Sequence, residues 1–511
     1  MNRRDFLATG LGTVVAGAAA EGVLIAADSP GETAPAGAAD RMPLHPRDVK
    51  LCVKPVMTNV IHSAVWQGPC RWNSVTPQVE RERAEQRFAE WSKQLKTKGI
   101  GGTEDVRLLE PAHVTFSEDW VLKPDQIAKL TPDSRQTDAY FIYPSGNSRA
   151  SYEIGDMFGR PIVLNGLSCR NIDIAAFTLA KGNEVFLAGE DLDLPKLLSL
   201  LRARKVFRQT SVLYPTNGVA PFSVGNPWDF EDLQKRLGVV VKKMPYREMA
   251  DEMKRLLGDR DEADRAEQAA GELIRKADKL FIDEPFVLRS MVFDRCIRNL
   301  MARHGCNAFT IDCFEFCPSL LPQKWLVVPC LQLAMFGNEG IAASCEADFG
   351  ILLALRLLMS VSNKSCHQGN SDPRPGGTFR INHSAPSMKM NGLDQPDLPF
   401  QLGRFVEQGW GTKAVIDFLD NEEKTVTVAR VDPTATKLLV LKGTLVGSSG
   451  WGKDLIGCSV EAVIRPPEGQ SAEFMRRRMT YGNHLQWVYG DYTQELKTLG
   501  EMLGLTVEVF S

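Results

Sequence analysis

The strongest constraint on how this chain folds is the run Phe349 to Met359, FGILLALRLLM, which is apolar on every side except at Arg356. A helix that is apolar all round has to be buried, so the rest of the chain must be built around it. The small-residue turn Ala342-Ala343-Ser344-Cys345 delivers Glu346 and Asp348 to the start of that helix. Carboxylates at an interior edge need a metal, a partner or a raised pKa. The other reading is that both acids simply cap the helix, since its dipole favours negative charge in the first turn.

The 511 residues, 43% hydrophobic and 24% charged, have an ordinary globular balance, and the length predicts two to four domains. A net charge of -3 gives no reason to expect a nucleic-acid partner. The one compact basic run, Arg476-Arg477-Arg478, reads as a solvated loop. There is no Walker-type phosphate loop, and Gly99-Ile100-Gly101-Gly102 is too short for a dinucleotide fingerprint. The eleven cysteines are scattered and odd in number, so they read as small buried hydrophobes rather than a disulfide framework. Cys313 and Cys317 bracket Phe314-Glu315-Phe316, but no second close pair completes a zinc motif.

The N-terminus begins Asn2-Arg3-Arg4-Asp5-Phe6-Leu7 and continues as a weakly apolar, Gly/Ala-rich segment to Ala27, which resembles a twin-arginine export signal. Cleavage is expected after either Ala18-Ala19-Ala20 or Ala26-Ala27, and an uncleaved signal would tether the protein to the membrane. Residues 28–47, rich in Pro, Gly and Ala, are expected to form a disordered linker. No later stretch has the roughly eighteen uninterrupted apolar residues of a membrane span. The expected location is periplasmic or extracellular.

From residue 48 onward, strands and helices alternate. Strand candidates at Val49–Val56, Ala139–Tyr143 and Pro161–Gly166, with a charged amphipathic helix from Thr76 to Gly99, predict a first parallel α/β domain over residues 48–182. A second such series, ending in the strand Ala308–Asp312, predicts another over 183–362. Ligands of open parallel sheets gather beyond the carboxyl ends of strands, which makes Asp312 and Glu315 site candidates, or else turn-formers and caps. After Pro373 short β-rich runs follow, at Thr425–Val431, Lys437–Leu441 and Val460–Ile464. The chain then closes with strand, helix and strand from Leu485 to Phe510. The predicted class is α/β: two doubly wound parallel-sheet domains followed by a β-rich, barrel-like C-terminal domain over 363–511.

Seven histidines are few enough to weigh singly. His484, in Tyr481-Gly482-Asn483-His484, stands directly before a predicted strand; His383, in Asn382-His383-Ser384-Ala385-Pro386, is a weaker candidate of the same kind. Together, Ser344-Cys345-Glu346-Ala347-Asp348, the buried helix and the closing Gly482-Asn483-His484 … Tyr489-Gly490-Asp491 resemble the L-fucose isomerase family, with L-arabinose isomerase as a more distant relative. The resemblance in domain order runs from Val49 to the C-terminus, and motifs carry it only in the last third.

The resemblance implies a homo-oligomer, trimer or hexamer, with a divalent ion, Mn²⁺ or alternatively Mg²⁺, between the second and third domains. It also implies a monosaccharide substrate and aldose–ketose isomerisation through an enediol. Glu346 and His484 match two of the family's ligands. The third, an aspartate about two dozen residues after the glutamate, falls in Gln368-Gly369-Asn370-Ser371-Asp372, where Asn370 occupies the matching place. Asn370 can offer a neutral carbonyl ligand but cannot take a proton at neutral pH. Three outcomes stay open: Asp372 takes the role, the chemistry differs, or catalysis has been lost. The expected function is therefore an exported sugar isomerase of the fucose/arabinose type, with Glu346, Asn370 and Asp372 as catalytic candidates and Glu346, Asn370 and His484 as metal candidates. The competing class is an exported carbohydrate-binding protein that keeps the fold. For substrate contact, Asn165-Gly166, Ser145-Gly146-Asn147-Ser148, Trp66 and Trp72 are candidates, or else ordinary loop and core material.

Overall fold

The structure is a computed structural model that describes residues 45–68, 71–98, 100, 104–119, 121–145, 149–190, 192–218 and 228–511. The twin-arginine segment, most of the linker and Gly146 to Ser148 lie outside the described residues, as do the side chains of Trp66 and Trp72. Among the described residues no helix is long and apolar enough to cross a membrane. The chain divides into two compact units, one of Lys54–Ile100 and Glu110–Leu197, the other of the remaining described residues, chiefly Leu198–Ser511.

The first sheet contains β1 (Leu51–Val60), β2 (Val106–Leu108), β3 (Ala112–Phe116), β4 (Ala139–Ser145), β5 (Ile162–Asn165) and β6 (Val185–Ala188). β1 pairs in parallel with β3 along Val56–Val60, and its first three residues pair with β2. The order β2-β1-β4-β5-β6, with β3 also paired to β1, is that of a doubly wound sheet. β1 reads LCVKPVMTNV and is buried through its first nine residues, as expected of a strand covered on both faces. Val56, Val114, Ile142, Ile154, Leu164 and Leu187 belong to this unit's own core.

A second parallel sheet follows, built from β7 (Ser211–Pro215), β8 (Val240–Met244), β9 (Ala308–Ile311) and β10 (Ala343–Cys345) in the order β8-β7-β9-β10. All residues of β7, β9 and β10 are buried. Short α1 (Cys313–Phe316) follows β9, and the apolar run forms α2 (Phe349–Ser362), with Phe349 to Met359 all buried. Arg356, only 1% exposed, spends its guanidinium on the carbonyls of Asn307 at 2.8 Å and Gly340 at 3.3 Å. Burial pulls its pKa down to about 9.

The β-rich part contains β11 (His367–Arg374), β12 (Thr378–His383), β13 (Thr425–Val431), β14 (Lys437–Ser449), β15 (Val460–Arg465), β16 (His484–Tyr489) and β17 (Thr506–Phe510). Antiparallel pairings run β13-β16-β11-β12-β15-β14 and return from β14 to β13, so six strands form a ring, with β17 parallel on β14. β14 pairs with three neighbours, β13, β15 and β17, and along β15 its register shifts between Leu445 and Gly447, an irregularity that bends the strand. β11 begins six residues before Pro373, where the texture of the sequence changes, and Pro373 itself lies within the strand. α2 packs on β13 and β16. At Gly350 a Cβ would stand 2.5 Å from the Val431 carbonyl oxygen, so only glycine allows that approach. One hydrophobic core runs from Leu213 and Phe309 through Phe379 and Trp487 to Phe510.

Candidate metal centre

Everything at the centre descends from the turn between β10 and α2. Glu346 (φ +56°) and Ala347 (φ +49°) both adopt the left-handed region, which costs a non-glycine residue about 1–2 kcal/mol. Two consecutive residues held there, both buried, mark a turn whose shape is imposed by what surrounds it. The turn places Asp348 at the helix cap, where its Oδ1 accepts from the Ile351 backbone N–H at 3.1 Å. The Glu346 carboxylate is set among β12, β16 and the end of β10.

Asp348 does more than cap. Its Oδ2 accepts from Arg430 Nη1 at 2.6 Å and from His484 Nδ1 at 3.1 Å. Burial alone would raise its pKa, but Arg430 first and His484 second hold it at about 2. Arg430 in turn donates to the carbonyls of Tyr481, at 2.7 Å, and His484, at 3.0 Å. A Cβ on Gly482 (φ +115°) would meet the Arg430 guanidinium at 2.5 Å, so a glycine is required beside it.

This network fixes the state of His484. With Nδ1–H donated to Asp348, Nε2 carries the lone pair, and it lies 3.7 Å from Glu346 Oε2. Burial pulls the His484 pKa below the usual histidine value despite Asp348, which keeps the ring neutral. From the other side, His383 Nε2 lies 3.4 Å from Glu346 Oε1, with the two imidazole centroids 5.3 Å apart. Among the described residues neither Nε2 makes a hydrogen bond, although each histidine is only 2% exposed. Burial depresses the His383 imidazole, but the Cys458 sulfur, 3.5 Å from its Nδ1, and the Glu346 carboxylate together carry it up to about 10.

Two buried imidazole nitrogens aimed at the two oxygens of one carboxylate make a donor set suited to a divalent cation once the ion displaces the proton that His383 holds against Glu346. Glu346 and His383 are two members of such a set, His484 is a further candidate through Nε2, 3.7 Å from Glu346 Oε2, and Asp348 behind it is placed as the outer-shell carboxylate that would orient a metal-binding imidazole. Donor atoms of Cys345, Glu346 and His383 also lie within 4.8 Å of one another. Yet the Cys345 sulfur sits 3.5 Å from Cys313 Sγ, and that contact and burial push its thiol well up, which favours His484 as the third donor.

The structure sets Asn370 directly across from His484 in register, on the same sheet face, where its Oδ1 accepts from Asn483 Nδ2. Asp372, two residues on, forms an ion pair with Arg380 at 2.9 Å, and its side chain is 50% exposed. Arg380 also pairs with Glu461, so Asp372 belongs to that network. Asp312 caps α1, and Glu315 accepts from Thr216 Oγ1 at 2.7 Å and the Asn217 N–H at 2.6 Å, so both serve the turns at this sheet's switch point. Asn165 and Gly166 accept from the Asn171 amide, which fastens that turn to its helix.

His383 is drawn in by the tertiary fold, together with Cys458 and Arg430. In the sequence His383 stands out only as a weaker counterpart of His484, within Asn382-His383-Ser384-Ala385-Pro386. The other five histidines have other engagements. His45 accepts from the Arg47 N–H, His62 pairs with Glu80, His113 with Asn59 and His304 with Glu248. His367 lies against Phe418 and Trp487 in the core.

No protein-family model matches the chain. Two relatives do, both sulfoquinovose isomerases, from Priestia aryabhattai and Priestia megaterium, each 25% identical over 299 residues. Its distant likeness is to sugar isomerases. The match covers 57% of this chain and 61% of each relative, so the chain spans about three-fifths of the relatives' length.

Proposed function

We propose that this protein is a metal-dependent isomerase that interconverts the aldose and ketose forms of a free sugar. The observation that carries the reading is the Glu346 carboxylate facing two orphaned imidazole nitrogens inside a buried, strained turn. A divalent ion held by Glu346, His383 and His484, with Mn²⁺ the first choice and Mg²⁺ the second, would polarise the sugar's carbonyl and neighbouring hydroxyl. Glu346 is the group suited to carry the proton between C1 and C2, since one carboxylate can serve both carbons on one face of an enediol. Asp348 holds His484 in one tautomer, and Arg430 holds Asp348 ionised. Asn370, beside His484, can donate and accept a hydrogen bond at a sugar hydroxyl but cannot relay a proton. Export by the twin-arginine route and a homo-oligomeric state complete the proposal.

The relatives' name makes sulfoquinovose the first sugar to test, followed by L-fucose, D-arabinose and L-arabinose. Protein stripped with a chelator, reloaded with Mn²⁺ and incubated with each sugar in D₂O is expected to give ketose with deuterium at C1. Activity equal with and without metal, or unchanged in His484→Ala, would sink the mechanism. The neutral amide of Asn370 favours a second reading, an exported carbohydrate-binding protein. Sugar binding without deuterium exchange, and no gain of activity in Asn370→Asp, would select it.

A further inference from the structure

Beside the proposed centre, two thiols face each other. β9 and β10 are parallel neighbours with Ile311 opposite Cys345, and two residues beyond Ile311 the first residue of α1 is Cys313. The two sulfurs stand 3.5 Å apart. A disulfide needs about 2.05 Å, so the side chains must close by roughly 1.5 Å, within reach of torsion changes about the Cα–Cβ bonds. Cys345 is buried and Cys313 is partly exposed, which gives the pair an outer and an inner member.

We propose that Cys313 and Cys345 form a redox-sensitive pair, oxidised by a peroxide to a disulfide that disables the neighbouring metal centre. The Cys313 thiol gives up its proton, the thiolate attacks one peroxide oxygen, the O–O bond breaks, and a sulfenic acid forms while the departing hydroxide takes up that proton as water. The Cys345 sulfur then attacks the Cys313 sulfur, the S–O bond breaks, and a second water leaves with the remaining thiol proton. Two thiols lose two electrons and hydrogen peroxide gains them; a small dithiol reverses the reaction.

The consequence follows from what surrounds Cys345. Its backbone N–H is held by Gln368 Oε1 at 3.1 Å, and the next two residues are the left-handed pair Glu346 and Ala347. Drawing the sulfur toward Cys313 therefore loads the strained turn, and the group displaced is the Glu346 carboxylate. This effect on metal binding rests on the proposed function; the cross-link itself does not.

The full chain, reduced and then treated with hydrogen peroxide, is alkylated, digested and mapped by mass. The expected product joins the Cys313 and Cys345 peptides and is removed by dithiothreitol. In the oxidised protein the Mn²⁺-induced rise in unfolding temperature is expected to fall by at least half and to return with dithiothreitol. Cys313→Ser, with Cys313→Ala as a second variant, is expected to keep the Mn²⁺ shift and lose its sensitivity to peroxide. A Cys313–Cys317 bridge, irreversible acid forms at Cys313, or a cross-link that leaves the Mn²⁺ shift intact overturns the switch. Absence of any Mn²⁺ shift in the reduced protein instead overturns the metal reading, and the peptide map still decides the pair.

Discussion

Arg430 shows at the scale of one residue how a buried charge is made tolerable. It is 2% exposed, and its positive charge is matched by the fully buried Asp348 and by two carbonyls. Arg430→Ala would leave that carboxylate without its cation, which typically costs about 3–5 kcal/mol. Urea unfolding of the variant should show that loss; a change below about 1 kcal/mol would mean that Asp348 is solvated or protonated. Ala347 is expected to respond in the opposite direction. Ala347→Gly relieves the left-handed strain and should stabilise the protein by about 1 kcal/mol, while loosening the aim of Glu346. A higher unfolding temperature with weaker Mn²⁺ binding is the expected pair of results.

At the scale of elements, α2 is held by the space it lacks. Gly350→Ala drives a methyl against the Val431 carbonyl and must push the helix off β13, at a cost of about 1–3 kcal/mol. Equilibrium unfolding checks this, and a neutral result would mean that the helix can slide. Two other helices, Tyr246–Leu257 and Glu284–His304, are tied together by Glu252, which takes Arg255, Asn299 and Arg303. The Arg255 guanidinium, opposed by burial and helped by Asn299 and Arg303, draws the Glu252 pKa from 4.5 to about 2. A depressed carboxylate pKa contributes stability that is present above about 4.5 and is lost as pH falls from there through about 2. Both arginines are about half exposed, so solvent screening trims the contribution to about 1–2 kcal/mol. Glu252→Gln should flatten that part of the stability–pH curve, and an unchanged curve would show that the tie is not electrostatic.

For the whole molecule, the two units have separate hydrophobic cores, and all groups of the proposed centre lie in the larger one. A bound ion stabilises only the structure that holds it, by about 2.7 kcal/mol at a hundredfold excess over Kd. Hydrogen exchange with and without Mn²⁺ should therefore slow at β10, the start of α2, β12 and β16, and leave β3 to β6 unchanged. Equal slowing throughout would point to nonspecific binding. The coarse architecture was legible in advance. Two parallel sheets came from apolar runs such as Ser211-Val212-Leu213-Tyr214, because strands covered on both faces have no polar side to interrupt them. The strands at Ala112–Phe116, Phe400–Arg404 and Thr412–Ile416 had no such signature and were not anticipated.

Sequence alone determined that Phe349 to Met359 would be a buried helix and that Glu346 and Asp348 would stand at its start, because periodicity and capping are local properties. It also singled out His484, though not what His484 would meet. Tertiary structure decided which groups converge on Glu346. His383 and His484 are 101 positions apart in the chain and reach one carboxylate because β12 and β16 flank β11 in the same sheet. Asn370 and Asp372 are two residues apart on one strand, yet one faces His484 across the register and the other pairs with Arg380. Strand register and ring order are set by pairings between distant segments, and no window of the sequence contains both partners.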